Sequence, residues 1–137
     1  MRILLALSGS TNALVHLAAI AGRAGIRLSL RRLNELAETT PVLVNLKPVG
    51  SNYMEDLHAA GGMPALMWEL RHLLNLDCPT VTGETLGDRL SGFDPGIIDH
   101  SVIRRFDEPI EPKGGLIALF GNLAPDGAIL KLSLIHI

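Results

Sequence analysis

Cysteine is almost missing from these 137 residues, with Cys78 as its one instance. A single thiol excludes an internal disulfide framework and any zinc or iron–sulfur site built from this chain's own cysteines. It also fits a reducing, intracellular compartment. Aromatics are scarce, at three Phe, one Tyr and one Trp, and 12 basic against 14 acidic side chains leave a net charge of −2. With no basic block and little to stack on bases, nucleic acid is not an expected partner. No apolar run reaches the ~18 residues of a membrane span. The opening MRILLALSGS carries one positive charge before a short apolar run, too short for the core of a secretory signal. The expectation is a soluble, cytoplasmic protein with no membrane partner.

What is present is Leu- and Ala-rich: 47% of residues are hydrophobic and 19% charged, a globular profile of about one small domain. SGSTNALVHLAAIAG (8–22) sets small polar residues before an apolar run. Ser10 or Thr11 can cap a helix running to Ala24, and Gly25 stands where a terminating glycine belongs. That helix is apolar nearly all round, which predicts cover on several sides. In LSLRRLNELAETTP, Ser29 caps an amphipathic helix whose stripe is Leu30, Leu33, Leu36 and Ala37, and Pro41 bars its extension. VLVNL (42–46) reads as a short buried strand. Pro64 suits the first position of a third long helix with Leu66, Met67, Leu70, Leu73 and Leu74 inward. PTVTG reads as a strand leading to a short helix at Leu86 to Leu90.

From Ser91 the texture changes, because 91–115 holds three Pro and four Gly without a sustained period. Such a segment is a connector. LIALFGNLAPDGAILKL then reads as two β runs about a Pro125-Asp126-Gly127 turn. A lone hairpin is marginal, so residues 114–131 are expected to open a second, β-rich domain. The last six residues, LSLIHI, match one reading frame of the transposase adapter CTGTCTCTTATACACATC. Residues 132–137 are therefore expected to be sequencing-adapter read-through.

Two Glu-x-x-His spacings occur, Glu55/His58 and Glu69/His72. Such pairs share a helix face and recur in di-metal bundles, but those sites also need inward Glu from two further helices. The first long helix has no acid, and Glu35 and Glu38 lie off the next helix's stripe, so solvated or locally paired side chains are the expectation and no metal ligand is assigned. Cys78, between Asp77 and Pro79, has no activating base. GGMPAL (61–66) puts two glycines before a helix N-terminus; a turn is favoured over an anion seat. Ser10, Thr11 and Asn12 exceed the needs of one cap, and at a helix N-terminus they suit a hydroxylated carboxylate.

SGSTNALVHLAAIAGRAG, TPVLVNLKPVGSNYMEDLHAAGGMPALMWEL, TVTGETLGDRL and VIRRFDEPIEPKGGLIALFGNLAPDGAILK, in that order, resemble the dihydroxy-acid dehydratase and phosphogluconate dehydratase family. The likeness covers residues 4–131. Ser8 departs from it, standing where the family usually has the first glycine of a Gly-Gly-Ser-Thr-Asn signature.

The resemblance implies an α/β fold: 1–90 as the end of an N-terminal α/β dehydratase domain, 91–113 as a connector, and 114–131 as the first β-hairpin of a β-barrel-like second domain. It implies a hydro-lyase that turns a 2,3-dihydroxy acid into a 2-keto acid plus water, in branched-chain amino acid biosynthesis. The full-length parent would use an iron–sulfur cluster and Mg²⁺, whose ligands lie in blocks outside this chain. No catalytic residue is assigned within the fragment, which is expected to be inactive alone. Ser10, Thr11 and Asn12 are the substrate-adjacent candidates, with Glu55 and His58 behind them. A sugar-acid (pentonate or gluconate) dehydratase is the alternative within the family, and a small non-catalytic α/β binding module is the alternative outside it. The expected partners are a small dihydroxy or sugar acid and, for the parent, a second copy in a homodimer or higher assembly.

Overall fold

The computed structural model describes residues 1–131; the expectation for the adapter-like hexapeptide lies outside them. Helices dominate: α1 (Arg2–Ala6), α2 (Thr11–Arg23), α3 (Leu30–Glu38), α4 (Met54–Ala59), α5 (Gly62–Glu69) and α6 (Leu86–Ser91), with single 3₁₀ turns at Arg71–Leu73 and Pro95–Ile97. One antiparallel sheet follows, formed by β1 (Leu116–Gly121) and β2 (Ala124–Lys131). The chain is thus mixed helix and hairpin. It divides into two compact units, one of residues 1–42 with 111 onward, the other Leu43–Ile110.

In the first unit, α1, α3 and the hairpin share one core. Leu5, Leu33 and Leu116 are fully buried there, with Leu4, Leu14, Ala37 and Ala118 around them. The α3 stripe delivers Leu33 and Ala37 inward, and Ser29 Oγ accepts from Arg32 N as the expected cap. Asn34 joins α3 to β1: its amide donates to Ala118 C=O (2.8 Å) and accepts from Ala118 N–H (2.7 Å). Helix α2 differs from its expectation. Only Leu14 is buried on it, while Val15 and Ile20 are 68% and 67% exposed. Nothing among the described residues covers those faces.

The hairpin also differs in its turn. Asn122 and Leu123 form a two-residue loop between Gly121 and Ala124, and Pro125-Asp126-Gly127 lies inside β2 as an irregularity opposite Phe120. The extra residues bulge out of the ladder, and Gly127 takes φ +101°, a conformation glycine adopts without a side-chain clash.

In the second unit α5 contacts both α4 and α6, and the segments 43–45 and 102–104 are joined by backbone hydrogen bonds. VLVNL is extended and buried at Val42, Leu43 and Val44, but it makes isolated bridges rather than a strand ladder, such as Val44 with Ile103. The expected third long helix stops after eight residues, at Glu69, and a 3₁₀ turn carries the chain on. Pro64 sits inside α5, behind a start made by Gly61 and Gly62. PTVTG is a turn closed by a Pro79–Thr85 bridge instead of a strand. Helix α6 begins at a reciprocal cap: Thr85 Oγ accepts from Asp88 N (3.0 Å) while Asp88 Oδ2 accepts from Thr85 N (3.1 Å).

Candidate functional site

In the first unit, the SGSTN loop links α1 to α2. Ser8 is buried with φ +47°, so it adopts the left-handed backbone that a glycine would accept at no steric cost. Ser10 then caps α2, its Oγ accepting from Asn12 N at 3.1 Å. One hydroxyl satisfies the cap. The side chains of Thr11 and Asn12 make no hydrogen bond among the described residues and are exposed. Both stand at the end of a groove of about 340 Å³ that continues along Leu14, Val15 and Ala18 to Leu30 and Ile129. The groove is apolar except at this end, where an amide and a hydroxyl at a helix N-terminus can hydrogen-bond a carboxylate or an alcohol.

The other sequence-selected residues are in the second unit. Glu55 and His58 are exposed on α4. Glu69 is buried, and its Oε2 accepts from Phe106 N at 2.9 Å. His72 is exposed and meets the Phe106 ring edge-on, with centroids 6.3 Å apart. The second Glu-x-x-His pair therefore grips one aromatic residue through backbone and ring. Gly61 and Gly62 both have positive φ, and a Cβ on Gly61 would stand 2.8 Å from Ala65 Cβ. That close approach is a packing role, in line with the turn reading. Cys78 is exposed.

A cleft of about 520 Å³ is lined by Trp68, Glu69, Arg71, His72, His100 and Arg105, among others. Arg71 is tied to Trp68 by a 2.7 Å bond to the carbonyl and by stacking 4.5 Å over the ring. His100 Nδ1 lies 3.0 Å from Ile103 O. Its residues come from three separated stretches, and their spacing carries no motif.

Among the described residues no three His, Cys, Asp or Glu side chains gather where a metal ion could be held. With Cys78 alone and exposed, these residues do not fit an iron–sulfur cluster or a carboxylate-held Mg²⁺. No helix among the described residues is long and apolar enough to cross a membrane.

Comparison with known proteins gives two family matches. Residues 1–89 match the dihydroxy-acid/6-phosphogluconate dehydratase N-terminal model, and residues 101–136 match the corresponding C-terminal model. Curated relatives named dihydroxy-acid dehydratase include one from Methanococcoides burtonii, 45% identical over 99% of this chain and 25% of its own length. Another, from Caldicellulosiruptor bescii, is 46% identical over 94% of this chain and 23% of its own length. A third, from Cytophaga hutchinsonii, is 43% identical over 97% of this chain and 24% of its own length. The chain spans about a quarter of the length of the curated relatives it matches.

Proposed function

The chain belongs to the dihydroxy-acid/6-phosphogluconate dehydratase family, and on that premise we propose that it is an internal portion of a hydro-lyase acting on branched-chain 2,3-dihydroxy acids. The parent removes the C2 proton and the 3-hydroxyl as water, and the enol left behind becomes a 2-keto acid. The observation that carries this reading is the shared name of relatives 43–46% identical across 94–99% of the chain. Cytoplasmic location, a homodimeric or larger parent, and a place in branched-chain amino acid biosynthesis belong to the same proposal.

Activity belongs to the parent and not to this portion. The parent's iron–sulfur cluster and Mg²⁺ would be held by residues outside the chain. Thr11 and Asn12 are the residues proposed to face substrate, with Ser10 holding their backbone as the cap. What supports this is that capping uses only Ser10, leaving the two neighbours' polar groups at the mouth of the groove. Glu55 and His58 stay behind them, since both lie on an exposed helix face. The hairpin is proposed as the start of a β-barrel-like second domain.

A sugar-acid substrate is the second reading, favoured by the family's own description, which names 6-phosphogluconate beside dihydroxy acids. The test is the full-length gene product, purified anaerobically and supplied with both acid classes. Keto-acid release from the branched-chain diol acid is expected. Release from the sugar acid alone overturns the substrate assignment, and release from neither overturns the dehydratase reading.

A further inference from the structure

The cleft of about 520 Å³ in the second unit gathers side chains that donate hydrogen bonds and can carry positive charge: Arg71, His72, His100 and Arg105. Arg71 is held in place, because its Nη1 donates to Trp68 C=O at 2.7 Å and its guanidinium stacks 4.5 Å over the indole ring. A guanidinium presents its N–H donors as a rigid fork, and this anchoring leaves most of them unspent. Arg105 makes no hydrogen bond or ion pair among the described residues. His100 Nδ1 lies 3.0 Å from Ile103 O. A carbonyl only accepts, so Nδ1 carries the proton and Nε2 is the ring atom without a partner among the described residues.

Two carboxylates line the same cleft. Glu69 is buried and already engaged, its Oε2 accepting from Phe106 N–H at 2.9 Å. Asp107 is exposed, where water and salt screen its charge. With both imidazoles neutral the cleft is electrically even, and each ring that takes a proton makes it positive. Its walls are aromatic at Trp68 and at Phe106, whose ring meets His72 edge-on. The volume falls in the range of small-molecule sites.

We infer that this cleft binds a small phosphate monoester, its phosphoryl group taken by Arg71 and Arg105 and its organic part lying against Trp68 and Phe106. The inference goes beyond the dehydratase reading and does not rest on the roles given to Thr11 and Asn12. Guanidinium forks and imidazoles together offer more donors than a carboxylate's oxygens accept, whereas a phosphoryl group brings a further oxygen and a further charge. The ester's second proton leaves at about pH 6, and the unpartnered Nε2 of His100 can accept that proton in a hydrogen bond. An arriving anion also gives Arg105 the partner it lacks among the described residues.

Isothermal titration calorimetry of the full-length gene product tests this, with phenyl phosphate as the probe and benzoate as the carboxylate control. Phenyl phosphate is expected to bind saturably at one site per chain, with a Kd below about 1 mM, and benzoate at least about tenfold more weakly. Arg105→Gln should weaken phenyl phosphate by about tenfold or more, the size of a lost charged hydrogen bond. Its circular dichroism should be unchanged, since that side chain is exposed and bonds to nothing among the described residues. Arg23→Gln, exposed at the end of α2, should bind as the unmodified protein does. Absence of saturable binding overturns the site, and benzoate binding as tightly as phenyl phosphate overturns the phosphoryl class. Unweakened binding in Arg105→Gln, or equal weakening in Arg23→Gln, places the ester elsewhere or on general charge and overturns the inference. Turnover of the branched-chain acid should be unchanged in Arg105→Gln. A parallel loss of turnover and ester binding would assign the cleft to the reaction's own substrate and overturn a separate ligand.

Discussion

Replacing Asn34 with alanine removes the one side chain that bonds both backbone groups of Ala118. Each group left unmet inside a protein costs about 1–3 kcal/mol. The contact is only part-buried, so water partly replaces the amide and the pair together costs about 2–3 kcal/mol. Alanine's better helix propensity at an α3 position returns about 0.5 kcal/mol. The net expectation is a loss of about 2 kcal/mol, a large share of the 5–15 kcal/mol typical of a domain. Urea unfolding of the 137-residue chain, followed by far-ultraviolet circular dichroism, should show a lower midpoint at unchanged slope. Asn34→Asp sharpens the test. Its carboxylate still accepts from Ala118 N–H but sets an oxygen lone pair against Ala118 C=O, so it should be at least as damaging at neutral pH. Part of the loss should return in acid, where the protonated carboxyl regains a donor. A midpoint change worth less than about 0.5 kcal/mol in Asn34→Ala, with Ala118 still protected from exchange, would refute the reasoning that these two bonds dock α3 on the hairpin.

Three further outcomes are expected. Ser10→Ala should cost about 1 kcal/mol in the same unfolding experiment, whereas Thr11→Ala should stay within about 0.5 kcal/mol, because only Ser10 caps α2. The Thr85 hydroxyl donates to Asp88 Oδ2 at 2.6 Å and holds that carboxyl below its ordinary value of 3.8. A depressed folded value means this cap stabilises α6 fully above the ordinary carboxylate range and is lost only as pH falls through the lower folded value; an NMR titration of Asp88 should move up toward 3.8 in Thr85→Val. In the full-length enzyme, Asn12→Ala should lower turnover by tenfold or more, on the order of one lost substrate hydrogen bond, with iron content unchanged. Unaltered turnover would reduce the loop to a helix cap.

Local signals in the sequence translate into structure where the partners are also local. The α3 cap and stripe are of this kind, since Ser29 and the four apolar positions act within one helix. Helix α2 shows the limit. An all-round apolar pattern says that its faces need cover, but not that the cover lies in the same chain, and Val15 and Ile20 remain exposed. VLVNL has the composition of a strand without neighbours long enough to make a ladder, so it pairs at single bridges. Pro125-Asp126-Gly127 has the residues of a tight turn, yet the Gly121–Ala124 pairing places the loop at Asn122 and Leu123 and leaves Gly127's positive φ to a bulge. Within the candidate site, the surplus of polar residues over capping needs is visible at Ser10, Thr11 and Asn12. The Glu69 contact with Phe106 is not, because it joins positions far apart in sequence.

The central claim is that these residues are scaffold and substrate wall for chemistry whose metal-holding groups lie elsewhere in a longer enzyme. One side-by-side assay tests it most directly: the 137-residue chain and the full-length gene product, both reconstituted with iron, sulfide and Mg²⁺, offered a branched-chain 2,3-dihydroxy acid. The full-length protein should release the 2-keto acid and the short chain none. Keto-acid production by the short chain alone would contradict the claim.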